Sequence, residues 1–218
     1  MPVLGYIILV LCAYLLGSIP TGYLVARAKG IDIRTVGSGN IGATNAFRVL
    51  GKPAGLFVLI ADGLKGYAAC TWLADPLLRA FDVSVTPFDH AMTERVAAGI
   101  VAVLGHNFTC WLRFKGGKGI ATTTGVYFAV APLAAGVAVV VWLLVFGVGR
   151  YVSVASIVAA VVLPTVVWLT QSSIPLGLVT TALGVLAIWK HKSNIARLKA
   201  GTENRIDFSS KSSAGGKP

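Results

Sequence analysis

Charge is scarce in this chain of 218 residues: 12% are Asp, Glu, Lys or Arg, 56% are hydrophobic, and the mean hydropathy is +0.78. A soluble domain carries about twice that share of charge, so a water-exposed globule is excluded. Acidic residues are scarcest of all, eight against nineteen Lys and Arg, which leaves a net charge of +11. Nucleic-acid binding would need those cations in a stripe with interleaved aromatics. Here they fall between apolar segments, and no nucleic-acid partner is expected. The three cysteines, Cys12, Cys70 and Cys110, stand alone in apolar surroundings, which excludes a disulfide framework or a thiolate zinc site. His90, His106 and His191 are far apart and lack any His-Glu-x-x-His spacing, so neither a metal nor a cofactor is expected. The segment Met1–Leu16 has no Lys or Arg and lacks the basic start of a secretory signal peptide; it is expected to stay attached as the first span.

What the chain does have is long apolar runs. Val3–Ala26, Pro53–Ala74, Val96–Leu112, Ile120–Val148, Val152–Leu169 and Leu176–Trp189 are each candidate helices, since about 20 apolar residues cross a hydrocarbon layer of roughly 30 Å. Arg27, Lys29, Arg34, Arg48 and Lys52, against only Asp32, place the first connection in the cytoplasm and the amino terminus outside. Asp75, Asp82, Asp89 and Glu94 mark an outer connection; Arg113, Lys115 and Lys118 mark an inner one. The fourth run is roughly 46 Å long as a helix, too much for one untilted span. Splitting it at Ala131-Pro132 gives about seven transmembrane helices, with the Lys190, Lys192, Arg197 and Lys199 cluster and the carboxyl terminus cytoplasmic. The expectation is an all-α polytopic membrane protein with a single domain over 1–208. Residues 209–218, rich in Ser, Gly and Lys, form a disordered tail in this reading.

The polar clusters then share one face. In Arg34–Gly51, Gly37, Gly39 and Gly42 permit backbone N–H groups to turn toward an anion, Ser38 and Asn40 add donors or a cap, and Ile41–Leu50 reads as a short helix closed by Gly51. A phosphate at that helix start is favoured. Asn45 and Arg48, three apart, share a face, and Arg48 offers a planar fork for phosphate oxygens. Phe114–Thr124 resembles a nucleotide-binding loop only superficially: Gly119 follows Lys118 where Ser or Thr is required, and Leu112 stands in the first glycine's place. What remains is a cationic turn, Gly117-Lys118-Gly119, opening a helix, with Lys118 as a point charge. His191 and Asn194 face inward together if their helix continues. Lys192, Arg197 and Lys199 read as solvated or headgroup contacts. Ser153 and Ser156 extend the same pocket or bond backbone carbonyls. Asp62 and Lys65 are spaced for a helical ion pair within the second span, a structural role, and His106 reads as a packing residue.

Taken together, Gly17-Ser-Ile-Pro20, Asp32-Ile-Arg34, Gly37 to Asn45 with Arg48, Asp62 with Lys65-Gly66, Gly105-His106, Phe114 to Gly119, and His191 with Asn194 and Glu203 resemble the bacterial acyl-phosphate:glycerol-3-phosphate acyltransferase family over about residues 5 to 206. The resemblance implies a seven-helix enzyme of the bacterial cytoplasmic (inner) membrane. Such an enzyme moves an acyl chain from acyl phosphate to glycerol 3-phosphate, giving 1-acylglycerol 3-phosphate (lysophosphatidic acid) and phosphate in phospholipid synthesis. It implies that Ser38, Asn40, Asn45, Arg48, Lys118, Ser156, His191 and Asn194 bind the two phosphates, and that Glu203 is structural. The expected partners are these two substrates and membrane lipids, with the protein a monomer. Thr109 stands where the family usually has proline.

The chemistry agrees with the residues. An acyl phosphate is already an activated anhydride, so neutralising charge and aligning the attacking hydroxyl suffice. None of the three histidines is followed five residues later by Asp, which removes the usual base motif of acyl-CoA-dependent glycerol-phosphate acyltransferases. A membrane transporter of organic phosphates is the alternative from another class; it would favour repeated halves, and the Gly37–Arg48 motif occurs once.

Overall fold

In lipid every backbone polar group must be satisfied within its own segment, so apolar runs of this kind have little choice but to be helical. The computed structural model describes residues 2–81, 90–171 and 173–206, and it is all-α over them. The order is α1 (Pro2–Ser18), α2 (Thr21–Arg27), α3 (Ala43–Leu50), α4 (Lys52–Ala68), a π-helical turn (Ala69–Leu73), α5 (Ala74–Ala80), α6 (His90–Asn107), a 3₁₀ turn (Cys110–Leu112), α7 (Ile120–Val130), α8 (Pro132–Gly149), α9 (Val152–Thr170), α10 (Ile174–Lys190) and α11 (Lys192–Lys199).

Three breaks shape the bundle. The Ala131-Pro132 break is present: Ala131 sits at φ −149°, ψ 69°, and Pro132 starts α8. The first apolar run, expected as one helix, is instead two, because Pro20 interrupts it and α2 departs from α1 by 43°. The third break falls at His191, where α11 turns 53° from α10, so the helix carrying His191 and Asn194 does not continue straight. Among the described residues four helical rods, Lys52–Ala80 included, are long and apolar enough to cross a membrane, and up to six are if each bent pair counts as one span. α7 is a further apolar helix, shorter than these at 11 residues. The tail at 209–218 lies outside the described residues.

Small residues set how closely the helices approach. A Cβ on Gly125 of α7 would lie 1.9 Å from the Gly63 carbonyl of α4, and one on Gly66 would lie 2.2 Å from the Thr122 carbonyl. These backbones are therefore in contact, while α3 packs on α4 nearer its start, where a Cβ on Gly55 would lie 2.5 Å from Phe47. At the far end the Tyr127 hydroxyl donates to Thr180 at 2.6 Å, tying α7 to α10 within the main apolar core. Thr109 is accommodated where the resembled family has proline: its φ of −65° is the value a pyrrolidine ring imposes. Its hydroxyl also bonds the Ser18 carbonyl at 2.6 Å.

Asp62 and Lys65 do form the expected pair, at 2.8 Å, with side chains only 3% and 5% exposed. The Lys65 ammonium also donates to the Ile19 carbonyl at 3.0 Å and to His106 Nδ1 at 2.9 Å, and Thr21 donates to Asp62 at 3.1 Å. Because Nδ1 accepts from an ammonium, His106 carries its proton on Nε2. The network closes the gap that the α1–α2 bend leaves in the backbone ladder. Asp62→Ala or Lys65→Ala leaves the other charge stranded and is expected to cost about 3 kcal/mol or more. Thermal unfolding of the detergent-purified protein checks this; unchanged midpoints for both variants would show that the pair contributes nothing.

Candidate active site

Where α3, α4, α7, α8, α9, α10 and α11 converge, a cavity of about 630 Å³ opens. Ser38, Asn40, Arg48, Lys118, His191, Asn194, Arg197 and Glu203 line it at one end. Leu59, Leu64, Phe128, Val139, Trp142 and Leu163 line much of the remainder, which is mostly apolar, with Asp62, Tyr67, His106, Thr123 and Thr124 also on its wall.

Lys118 reaches the rim on a turn that sequence spacing alone does not explain. Arg113 and Phe114 both adopt positive φ, 54° and 59°, a strained pair held by Phe114 N–H on the Thr109 carbonyl at 2.9 Å. The chain then runs against α6: the Gly116 and Gly117 N–H groups bond the Asn107 and His106 carbonyls at 3.2 and 3.0 Å. A Cβ on Gly117 would lie 2.0 Å from His106 Nε2, so only glycine fits between the imidazole and the turn. Gly119, at φ 79°, then starts α7. Lys118 donates to the Asn194 amide oxygen. The Asn194 nitrogen donates to Glu203 at 2.6 Å, and the other Glu203 oxygen accepts from Arg197 at 2.7 Å. Burial raises the Glu203 carboxyl, but the hydrogen bonds from Asn194, Ser153 and Arg197 outweigh it and hold the group below the usual range.

Across the rim, His191 is buried and its Nδ1–H donates to the Ala187 carbonyl at 2.8 Å, which leaves Nε2 as an acceptor. Ser156 accepts from the Trp142 indole at 3.1 Å, keeping its own proton available, and Ser153 is buried beside it on α9. Arg48 is exposed on α3, above the first residues of that helix, Ala43 and Thr44, which also line the cavity. Cations, amides, hydroxyls and a helix start at one end of a mostly apolar cavity suit a ligand with an anionic head and a hydrocarbon tail.

The glycerol-3-phosphate acyltransferase family model matches residues 7–201. The chain belongs to that family. Proteins named glycerol-3-phosphate acyltransferase from Geobacter metallireducens and Geotalea daltonii are 48% and 45% identical to it, covering 92% and 91% of this chain and 97% and 96% of their own lengths. The crystal structure of PlsY (YgiH), an integral membrane glycerol 3-phosphate acyltransferase, in its glycerol 3-phosphate form superposes with a TM-score of 0.81 at 38% identity, covering 93% of this chain and 96% of that one. Its lysophosphatidic acid form gives 0.78 at 37% identity, with 93% and 95% covered. This chain is thus an integral membrane member of the glycerol-3-phosphate acyltransferase family.

Several residues stand differently from their sequence reading in this family member. The N–H groups of Ser38, Gly39 and Gly42 do not face an anion: they bond Asn45 Oδ1, the Val36 carbonyl and Asn40 Oδ1 at 2.9, 3.0 and 2.9 Å. Gly37 and Gly39 take positive φ, 60° and 69°, to let the loop fold over Asn45. Asn45 is 1% exposed, and its nitrogen donates to the Ile33, Val36 and Asn40 carbonyls, so its amide holds the loop together rather than reaching outward. The helix starts at Ala43, not Ile41, and Gly51 at φ 91° ends it as expected. Gly117 lines a smaller cavity of about 190 Å³ beside Lys190 and Lys192, and its N–H is taken. Asn194 turns its amide to Lys118 and Glu203, and Arg197 is paired instead of solvated. Arg197 and Trp142 are the residues sequence reading missed. An Arg six residues before Glu203 was a usable signal; a Trp within a purely apolar run was not.

Burial pushes the Lys118 ammonium down to about 8; Glu203 opposes the fall, and Arg197, Arg48 and Lys190 add to it. The cationic form that attracts anions therefore prevails below about 8 and is lost as pH rises through it. Inorganic sulfate, whose own charge is constant across this range, is expected to bind the purified protein progressively more weakly from pH 7 to pH 9.5. In Lys118→Arg, whose guanidinium stays charged, the affinity should be flat over the same interval. Calorimetry giving parallel curves for the two proteins would contradict this.

Proposed function

We propose that this protein transfers an acyl chain from acyl phosphate to the 1-hydroxyl of glycerol 3-phosphate at the cytoplasmic face of a bacterial inner membrane. The observation that carries the proposal is one cavity whose anion-attracting rim continues into a mostly apolar groove between apolar helices. The family and the two PlsY forms, one with glycerol 3-phosphate and one with lysophosphatidic acid, support the acceptor and the product. Acyl phosphate as donor is supported by the cations and hydroxyls of the rim and by a sequence without the His-Asp base motif of the acyl-CoA-dependent type. Orientation follows from charge. The connections that carry Arg27, Lys29, Arg48, Lys118, Arg150 and Lys190 are cytoplasmic by the positive-inside rule, which supports an amino terminus outside, seven crossings and a carboxyl terminus inside.

In the reaction the glycerol 3-phosphate hydroxyl attacks the carbonyl carbon of the acyl phosphate, and a carbon–oxygen ester bond forms. The carbonyl carbon's bond to the phosphate oxygen breaks, and inorganic phosphate departs with the proton. Arg48 and Lys118 hold the two phosphates together against their repulsion. Ser38 and Asn40 hold the leaving phosphate, while Ser156 donates its hydroxyl where head meets tail. His191 Nε2 accepts from the glycerol phosphate, orienting the hydroxyl. Asn194 keeps Lys118 in place, with Glu203 behind it. With no covalent intermediate required, positioning and charge are the means of catalysis. A transporter of organic phosphates would favour repeated halves, and the Gly37–Arg48 motif occurs once.

Inverted membrane vesicles, which expose the cytoplasmic face, should convert added glycerol 3-phosphate to acylglycerol phosphate with acyl phosphate and not with acyl-CoA; right-side-out vesicles should not. Arg48→Ala or Lys118→Ala should depress catalytic efficiency by about 2–4 kcal/mol in folded protein. Use of acyl-CoA alone, activity confined to right-side-out vesicles, or full activity of both variants would each contradict the proposal.

A further inference from the structure

We infer that the deep end of the apolar groove, closed by Leu163 and narrowed by Ala138, sets the longest acyl chain the site accepts, an inference that rests on the acyl transfer proposed above. Along α9 the cavity lining runs from Ser153 at the rim to Leu163. Ten residues of helix span about 15 Å. One leaflet, half of a hydrocarbon core of roughly 30 Å, has the same thickness. The groove is therefore as deep as a single membrane acyl chain is long.

The floor differs from the walls. Ala135 and Leu183, which line the deepest part with Leu163, belong to the packed core around Tyr127 and Val130, and Leu163 packs against that core. Val139, Trp142 and Ala159, higher in the same groove, do not belong to it. On the lipid side Leu59 and Leu143 are 49% and 56% exposed, so the upper groove is open sideways. A chain enters from the bilayer and gains protein contacts methylene by methylene until it meets the core. Beyond that point it must displace packed side chains, which interiors resist, or turn back into lipid for no gain. Ala138 is one turn above Ala135 on the same face of α8 and is 8% exposed, with a side chain short enough to leave the groove passable.

The test is the ratio of kcat/KM for palmitoyl, lauroyl and stearoyl phosphate in purified protein, with glycerol 3-phosphate saturating. Ala138→Phe puts a ring across the groove and should lower the palmitoyl to lauroyl ratio by about tenfold or more, with the KM for glycerol 3-phosphate unchanged. Leu163→Ala removes volume from the floor and needs no extra space to fold; it should raise the stearoyl to palmitoyl ratio by about tenfold. A changed ratio in Leu163→Ala alone supports the inference even where Ala138→Phe fails to fold. An unchanged ratio in Leu163→Ala, with lauroyl transfer retained, overturns it. Inactivity of the unaltered protein toward every acyl phosphate overturns instead the acyl-transfer proposal beneath it.

Discussion

The arrangement around Lys118 governs the rest of the site. Its ammonium is mostly buried, yet among the described residues it contacts no carboxylate directly: the neutral amide of Asn194 lies between it and Glu203. The geometry has a physical consequence. A direct ion pair would neutralise the cation and compete with any incoming phosphate, whereas an amide relays the carboxylate's field and fixes the side chain while leaving the charge uncompensated. Arg197 absorbs the remaining Glu203 oxygen, so the carboxylate is satisfied without approaching the cavity.

That relay works only because the backbone beneath it is held. Gly116 and Gly117 lie against the His106 and Asn107 carbonyls, and Lys190 reaches the same Asn107 carbonyl at 2.8 Å from α10. His106 is in turn fixed by Lys65, itself paired with Asp62. A chain of contacts thus joins the buried ion pair of the second apolar segment to the rim. Close packing of α4 on α7 through Gly63, Gly66 and Gly125 keeps that chain short. Across the cavity, Asn45 does for the Gly37–Gly42 loop what His106 does for the Lys118 turn: both spend their polar atoms on backbone or buried partners so that their neighbours can face outward.

Much of the fold was legible in the sequence because the bilayer leaves few options. Apolar runs had to be helices, Pro132 had to start one, and Asp62 had to find Lys65. The bend at Pro20 was equally written in the chain but hidden by the apolar residues on both sides, which made Val3–Ala26 look continuous. At the site, residue types announced phosphate chemistry, and Ser38, Arg48, Lys118, His191 and Asn194 do line one cavity. Composition could not tell which donors face the cavity and which are spent inside the loops. That division depends on the tertiary contacts of Asn45, Gly117 and Asn194, and no spacing rule carries it.

A double-mutant cycle on Lys118 and Asn194, read as kcat/KM for glycerol 3-phosphate, addresses the relay directly. If Asn194 acts through Lys118, replacing Asn194 with Ala should lower efficiency markedly in the intact protein and add little once Lys118 is already Ala, a coupling of about 1 kcal/mol or more. Additive losses, with Asn194→Ala costing the same in both backgrounds, would contradict the relay and return Asn194 to direct contact with substrate.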